Sequence, residues 1–210
     1  MPRPRFQRLS AQRREQILET SAREFAEHGF AGASLNHILE EAGLSKGAAY
    51  YYFDDKADLF STVVQHYFFD HLARDAQLDV ERLDRETFWP KVFELYRQGA
   101  VHMREFPWMA GLARALWKLP RDVRAAGSLA PLFEFGIGWL KRLLGRGQEV
   151  GVVRTDLPSD LLVALMVAID GATDQWLSEH LDSLAPDELE VLTARLLRGL
   201  RTFLEPEVAP

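Results

Sequence analysis

The stretch Ser34-Leu35-Asn36-His37-Ile38-Leu39-Glu40-Glu41-Ala42-Gly43-Leu44-Ser45-Lys46-Gly47-Ala48-Ala49-Tyr50-Tyr51-Tyr52-Phe53 decides how this chain folds. Leu35, Ile38, Leu39 and Ala42 recur at helical spacing on one face, and Ser34 stands where a serine caps a helix N-terminus. Gly43 ends that helix, Leu44 fills the angle beyond it, and a second short helix opens after Ser45. Two short helices joined by a tight glycine turn form a helix-turn-helix, in which the second helix is the one that enters a DNA major groove.

Working outward, Ser10 caps a helix carrying Ile17, Leu18, Ser21, Ala22 and Phe25, which Gly29 is expected to stop. Asp55 caps a long fourth helix, with Asp58 near the positive end of its dipole. The spacing predicts further helices over 85–103, 108–118, 129–149, 159–180 and 187–204. Pro107, Pro120 and Pro158 mark boundaries, and Pro186 opens the last helix. No segment alternates in the manner of a half-buried strand, so the fold class is all-α with about nine helices. There is no internal repeat and no low-complexity linker. The two regions are expected to pack as one continuous body, with the fourth helix as the bridge.

Composition narrows the function. With 210 residues and 47% hydrophobic content the chain can bury a core. The longest apolar run, 161–169, falls far short of the roughly 20 residues a membrane span needs. The N-terminus lacks the apolar segment of a secretory signal, so a cytoplasmic protein is expected. The absence of cysteine excludes disulfides, thiolate nucleophiles and cysteine metal sites. The net charge of -6 is unevenly spread: residues 1–14 hold five arginines and no acid, whereas residues 57–210 hold 17 Lys and Arg against 23 Asp and Glu. Basic charge is thus concentrated where a duplex would meet it, although an arginine-rich tail can equally be a solvated one.

Ala42-Gly43-Leu44-Ser45-Lys46-Gly47, then Tyr50-Tyr51-Tyr52-Phe53, Asp55-Lys56 and Leu59-Phe60, resemble in order and spacing the N-terminal signature of the TetR family of transcriptional regulators. The resemblance covers residues 10–60, and implies a DNA-binding domain over 1–56 with a basic N-terminal arm, followed by a helical ligand-binding and dimerisation domain over 57–210. Gly47 lets the recognition helix approach base edges, and Lys46 can donate to a guanine or a phosphate. Tyr50, near Gly47 on the same face, can reach thymine methyls or phosphate, and Ala48 and Tyr51 complete the DNA-facing set. Ser34 and Ser45 are caps first; the resemblance implies that they also take phosphate oxygens and that Lys56 is a backbone-phosphate lysine. Arg3 and Arg5 are candidates for an adjacent minor groove. Against this, a tyrosine run is also what a packed surface contains. Ala49 stands where the family has a larger apolar residue, and Ala57 where an acid is common.

Aromatic residues crowd positions 66–140, as a helical core requires. The resemblance implies that some surround an effector cavity; Phe93, Tyr96, Trp108, Met109, Leu112, Phe135 and Trp139 are the candidates, with Asp170 as a polar contact. Asp170 and Asp174, at i and i+4, repel unless compensated, either by Arg195, Arg198 or Arg201 of the last helix or its dimer mate or by a cationic ligand. The all-apolar run 161–169 and the stripe Leu189, Leu192, Leu196, Leu200 and Phe203 resemble the family's dimer surface, a four-helix bundle with two helices from each subunit. The expectation is a homodimeric, ligand-responsive repressor of a palindromic double-stranded DNA operator, released by a small apolar or aromatic effector. No cofactor, metal site, catalytic residue or membrane partner is expected. Two rivals stand beside it: an all-helical metal-dependent enzyme, although no histidine follows a glutamate at i+3, and a ligandless architectural DNA-binding protein.

Overall fold

The computed structural model describes residues 2–45, 51–70, 78–180 and 183–206. Among them it holds ten α-helices and no strand: α1 Pro4–Gln7, α2 Ala11–Gly32, α3 Leu35–Glu41, α4 Lys56–Val64, α5 Phe88–Glu105, α6 Trp108–Trp117, α7 Arg121–Arg124, α8 Ala130–Glu149, α9 Ser159–His180 and α10 Pro186–Leu204. A π-helical turn, Gln65–Asp70, continues α4, and short 3-10 turns lie at Val80–Arg82 and Gly127–Leu129. Tyr51 and Tyr52 are helical as well.

The caps read from the sequence are in place. The hydroxyl oxygens of Ser10 and Ser34 accept from the amides of Arg13 and His37, and the Asp55 carboxylate accepts from that of Asp58. Gly29 interrupts α2 as expected: it takes φ 69°, outside the helical region, and a further short turn runs beyond the kink to Gly32. That turn has its own packing, the Phe30 ring lying 5.2 Å from Phe60 and 6.3 Å from Phe25. The basic N-terminal arm contains a helical turn, α1, which places Phe6 in the core against Phe53 at 4.9 Å.

The chain divides into two compact units. The first comprises Met1–His71 and Phe106–Glu134, so α6, α7 and the start of α8 pack with the N-terminal helices. Its core is built on Phe25, Ile38, Phe60, Val63, Tyr67 and Leu112. Each such fully buried side chain contributes about 1.5–3 kcal/mol. Here α2 and α6 approach so closely that a methyl group on Gly111 would sit 2.8 Å from the Ala26 carbonyl oxygen. The second unit comprises Leu72–Glu105 and Phe135–Pro210, with a core of Phe88, Trp89, Leu144, Val153, Leu162, Met166 and Leu200. The helix divided between the units is α8; α4 and its π-helical continuation end within the first.

Candidate nucleic-acid interface and effector region

The helix-turn-helix framework is held from three directions. Ser34 caps α3 with its hydroxyl, while its own N–H donates to Glu24 Oε1 at 2.8 Å. The other Glu24 oxygen meets His37 Nδ1 at 2.7 Å. Burial by itself would raise the Glu24 carboxyl, but the Ser34 N–H, the His37 hydrogen bond and the charges of His28 and His37 outweigh it and hold the group below its ordinary value. His37 is raised in return, first by its hydrogen bond to Glu24 and then by the charges of Glu24, Glu41 and Glu40. At the turn Gly43 takes φ 61°, in the left-handed region where a side chain is strained. Leu44 N–H donates to Leu39 O at 2.7 Å, and Arg13 from α2 reaches the Gly43 carbonyl at 2.9 Å.

Ser45, next along, is exposed. Lys46, Gly47, Ala48 and Tyr50, expected to read the groove, lie outside the described residues, as does Ala49. Tyr51 is 47% exposed, and the Arg5 guanidinium lies 4.3 Å above its ring centre. Tyr52 turns the other way, edge-on to Phe6 at 6.2 Å, and Phe53 is core. Lys56 has a structural task besides the expected one: its ammonium donates to the Ala31 and Ala33 carbonyls at 3.1 and 3.2 Å, closing the end of α2. Arg3, a minor-groove candidate, is bound within the fold, to Asp54 at 2.7 Å and through its N–H to the Tyr52 carbonyl.

The candidate effector residues fall into both units. Trp108, Met109 and Leu112 belong to the first, where Met109 and Leu112 are core and Trp108 packs edge-on to Tyr67 at 4.6 Å. Tyr67 in turn donates to Glu15 of α2 at 2.7 Å, a link that the sequence gives no sign of across 52 residues. Phe93, Tyr96 and Trp139 pack around the core of the second unit, while Phe135 is 46% exposed. In that unit Tyr96 OH donates to Asp170 at 2.9 Å. Burial pushes the Asp170 carboxyl up to about 6, with the Tyr96 hydrogen bond opposing and the Asp174 charge adding. Arg198 Nε donates to the Ala194 carbonyl and Arg201 pairs with Glu205, each within α10 and its end. The same residues hold no cluster of three metal-ligating side chains and no helix long and apolar enough to cross a membrane.

A capped positioning helix, a left-handed glycine turn and an arginine-rich flank define a helix-turn-helix DNA-binding protein. Comparison with known proteins agrees. The model for bacterial regulatory proteins of the tetR family matches residues 17–63. The probable acrEF/envCD operon repressor of Escherichia coli K12 is 24% identical over 92% of this chain and 88% of its own length. The transcriptional repressor Rv1474c of Mycobacterium tuberculosis is 29% identical over 81% of this chain and 85% of its own. Among solved structures, the regulator FadR of Bacillus subtilis, crystallised with stearoyl-CoA, superposes with a TM-score of 0.73 at 16% identity, covering 91% of this chain and 99% of that one. Over residues 17–63 the chain thus resembles the TetR family of transcriptional regulators, and over most of its length it is similar to proteins named as repressors.

Proposed function

We propose that the protein represses transcription as a cytoplasmic homodimer on a palindromic operator, and that a small apolar or aromatic effector bound within residues 57–210 releases it. The observation that carries this reading is the framework at residues 10–60, where the caps of α2, α3 and α4 and the Arg13–Gly43 bond hold in place the ends of the segment that opens at Ser45. That segment supplies Lys46, Gly47, Ala48 and Tyr50 to the groove. Ser34, Ser45, Tyr51 and the remaining ammonium proton of Lys56 serve the flanking phosphates. The named repressors among its relatives support repression over activation.

The effector is proposed to contact Phe93, Tyr96, Phe135 and Trp139 of the second unit, with Asp170 as the polar contact. The stearoyl-CoA held by the Bacillus subtilis structural neighbour supports a ligand with an apolar portion. The effector favours a state in which two recognition helices no longer match successive major grooves, about 34 Å apart, and the coupling amounts to about 1–3 kcal/mol. No catalytic step belongs to this reading. The test is to select bound duplexes from a random pool, locate the operator, and titrate candidate hydrophobic ligands against the complex. A palindromic site released by ligand is expected; an operator affinity indifferent to every bound ligand overturns the switch, and a pool that yields no enriched site overturns the regulator.

A further inference from the structure

The five arginines of residues 1–14 divide into two groups by what their guanidinium groups touch. Arg3 pairs with Asp54; Arg13 bonds the Gly43 carbonyl and Gln16; Arg14 bonds the Gln7 and Leu9 carbonyls. These three tie the N-terminal segment and the turn together. Arg5 and Arg8 are different. Both are exposed, and among the described residues neither guanidinium has a carboxylate or carbonyl partner. They are three residues apart, a spacing that puts them on one side of the turn α1 and its C-cap. The segment that carries them is fixed to the fold by the burial of Phe6.

We propose that Arg5 and Arg8, with Tyr51 as the platform under Arg5, form a preassembled clamp for the phosphate backbone of duplex DNA, outside the groove taken by the recognition helix. The Tyr51 ring covers one face of the Arg5 guanidinium at 4.3 Å, so its in-plane N–H donors stay directed outward, the geometry that meets two phosphate oxygens at once. Tyr51 also immediately follows the segment assigned to base reading, so the clamp and the reader share a covalent frame. This replaces the minor-groove arm expected for Arg3 and Arg5: Arg3 holds the segment in place, and Arg5 and Arg8 face the backbone. The inference rests on the DNA-binding reading above.

The test is binding of the full-length protein to a 30-base-pair mixed-sequence duplex across a range of salt, with wild type, Arg5→Ala, Arg8→Ala, Arg5→Lys and, as a surface control away from the clamp, Arg23→Ala. Each phosphate contact contributes about 0.9 to the slope of log affinity against log salt, so each alanine variant of a dimer is expected to lower the slope by about 2 and to weaken binding several-fold at moderate salt. Arg5→Lys is expected to keep the slope but bind more weakly, because the charge remains while the stacked planar donors are lost. Arg23→Ala is expected to match wild type. Alanine variants with unchanged slopes overturn the clamp, even where their melting temperatures have fallen, since a purely structural arginine affects stability and not ion release. Wild type that binds no duplex even at low salt overturns the DNA-binding reading and the clamp with it.

Discussion

At the scale of single residues, two carboxyl groups in opposite surroundings make opposite predictions. The Glu24 side chain, 6% exposed, is held ionised by Ser34 N–H and His37. A depressed carboxyl stabilises the fold above its ordinary value of 4.5, and that contribution is lost as pH falls through the lowered value. The raised histidine stabilises below its ordinary 6.5, and its share is lost as pH rises through the raised value. Glu24→Gln is therefore expected to cost about 1–3 kcal/mol near pH 6 and less at pH 3 and pH 9, read from urea denaturation at each pH. A cost that is flat with pH would show that the pair carries no charge coupling. Asp170 is the reverse case, raised from 3.8 to about 6 by burial, so stability present below 3.8 declines as pH rises through about 6. Asp170→Asn keeps an acceptor for Tyr96 OH and has nothing to ionise. Its melting temperature is expected to exceed that of wild type at pH 8 and to match it near pH 4; an equal difference at both would contradict the burial. Cap residues such as Ser34 and Asp55 were legible in the sequence because a cap acts on the amide three residues on. Glu24 was not, because its partners stand ten and thirteen residues away, and neither was the Tyr96–Asp170 bond, which spans 74 residues.

At the scale of elements, periodicity and proline placed α9 and α10 to within a residue, since long amphipathic or apolar stretches report their own ends. Short turns escape it: α1 has no periodicity to read and exists because Phe6 finds a tertiary site, and the turn after the break at Gly29 exists because Phe30 is packed. Glycines within helices separate in the same way. Gly111 in α6 and Gly145 in α8 look alike in the sequence, yet a Cβ at Gly111 meets the Ala26 carbonyl oxygen at 2.8 Å and its Cβ at 2.9 Å, whereas one at Gly145 meets nothing within 4 Å. Gly111→Ala is expected to force α2 and α6 apart at a cost of about 1–3 kcal/mol. Gly145→Ala is expected to stabilise by about 0.5–1 kcal/mol through helix propensity alone. Thermal melts of the two variants check this directly, and the contrast fails if both move the midpoint in the same direction.

At the scale of the whole molecule, the apolar content of α9 exceeds what one chain covers. Leu162, Val163 and Met166 are buried in the second unit, but Leu161, Ile169 and Trp176 remain exposed. These three are eight and seven residues apart, about two helical turns each time, so they form one stripe along the helix. On α10, Val191 and Leu196 are exposed as well. Solvent contact along such a stripe is unfavourable at about 25 cal/mol per Å², and the proposed homodimer would remove it over an interface on the order of 2,000 Å² in total. Two recognition helices on one such body would bind an operator with the second contact made intramolecular, raising avidity by about 100-fold or more over either alone. Ile169→Glu combined with Trp176→Glu places two carboxylates on the stripe without touching the core of either unit. The double variant is expected to sediment as a monomer with helical content retained, and to lose about 100-fold in operator affinity while keeping the wild-type affinity per subunit for a half-site duplex. If it sediments as a dimer, the stripe is not the interface, and the partner surface must be sought on another face.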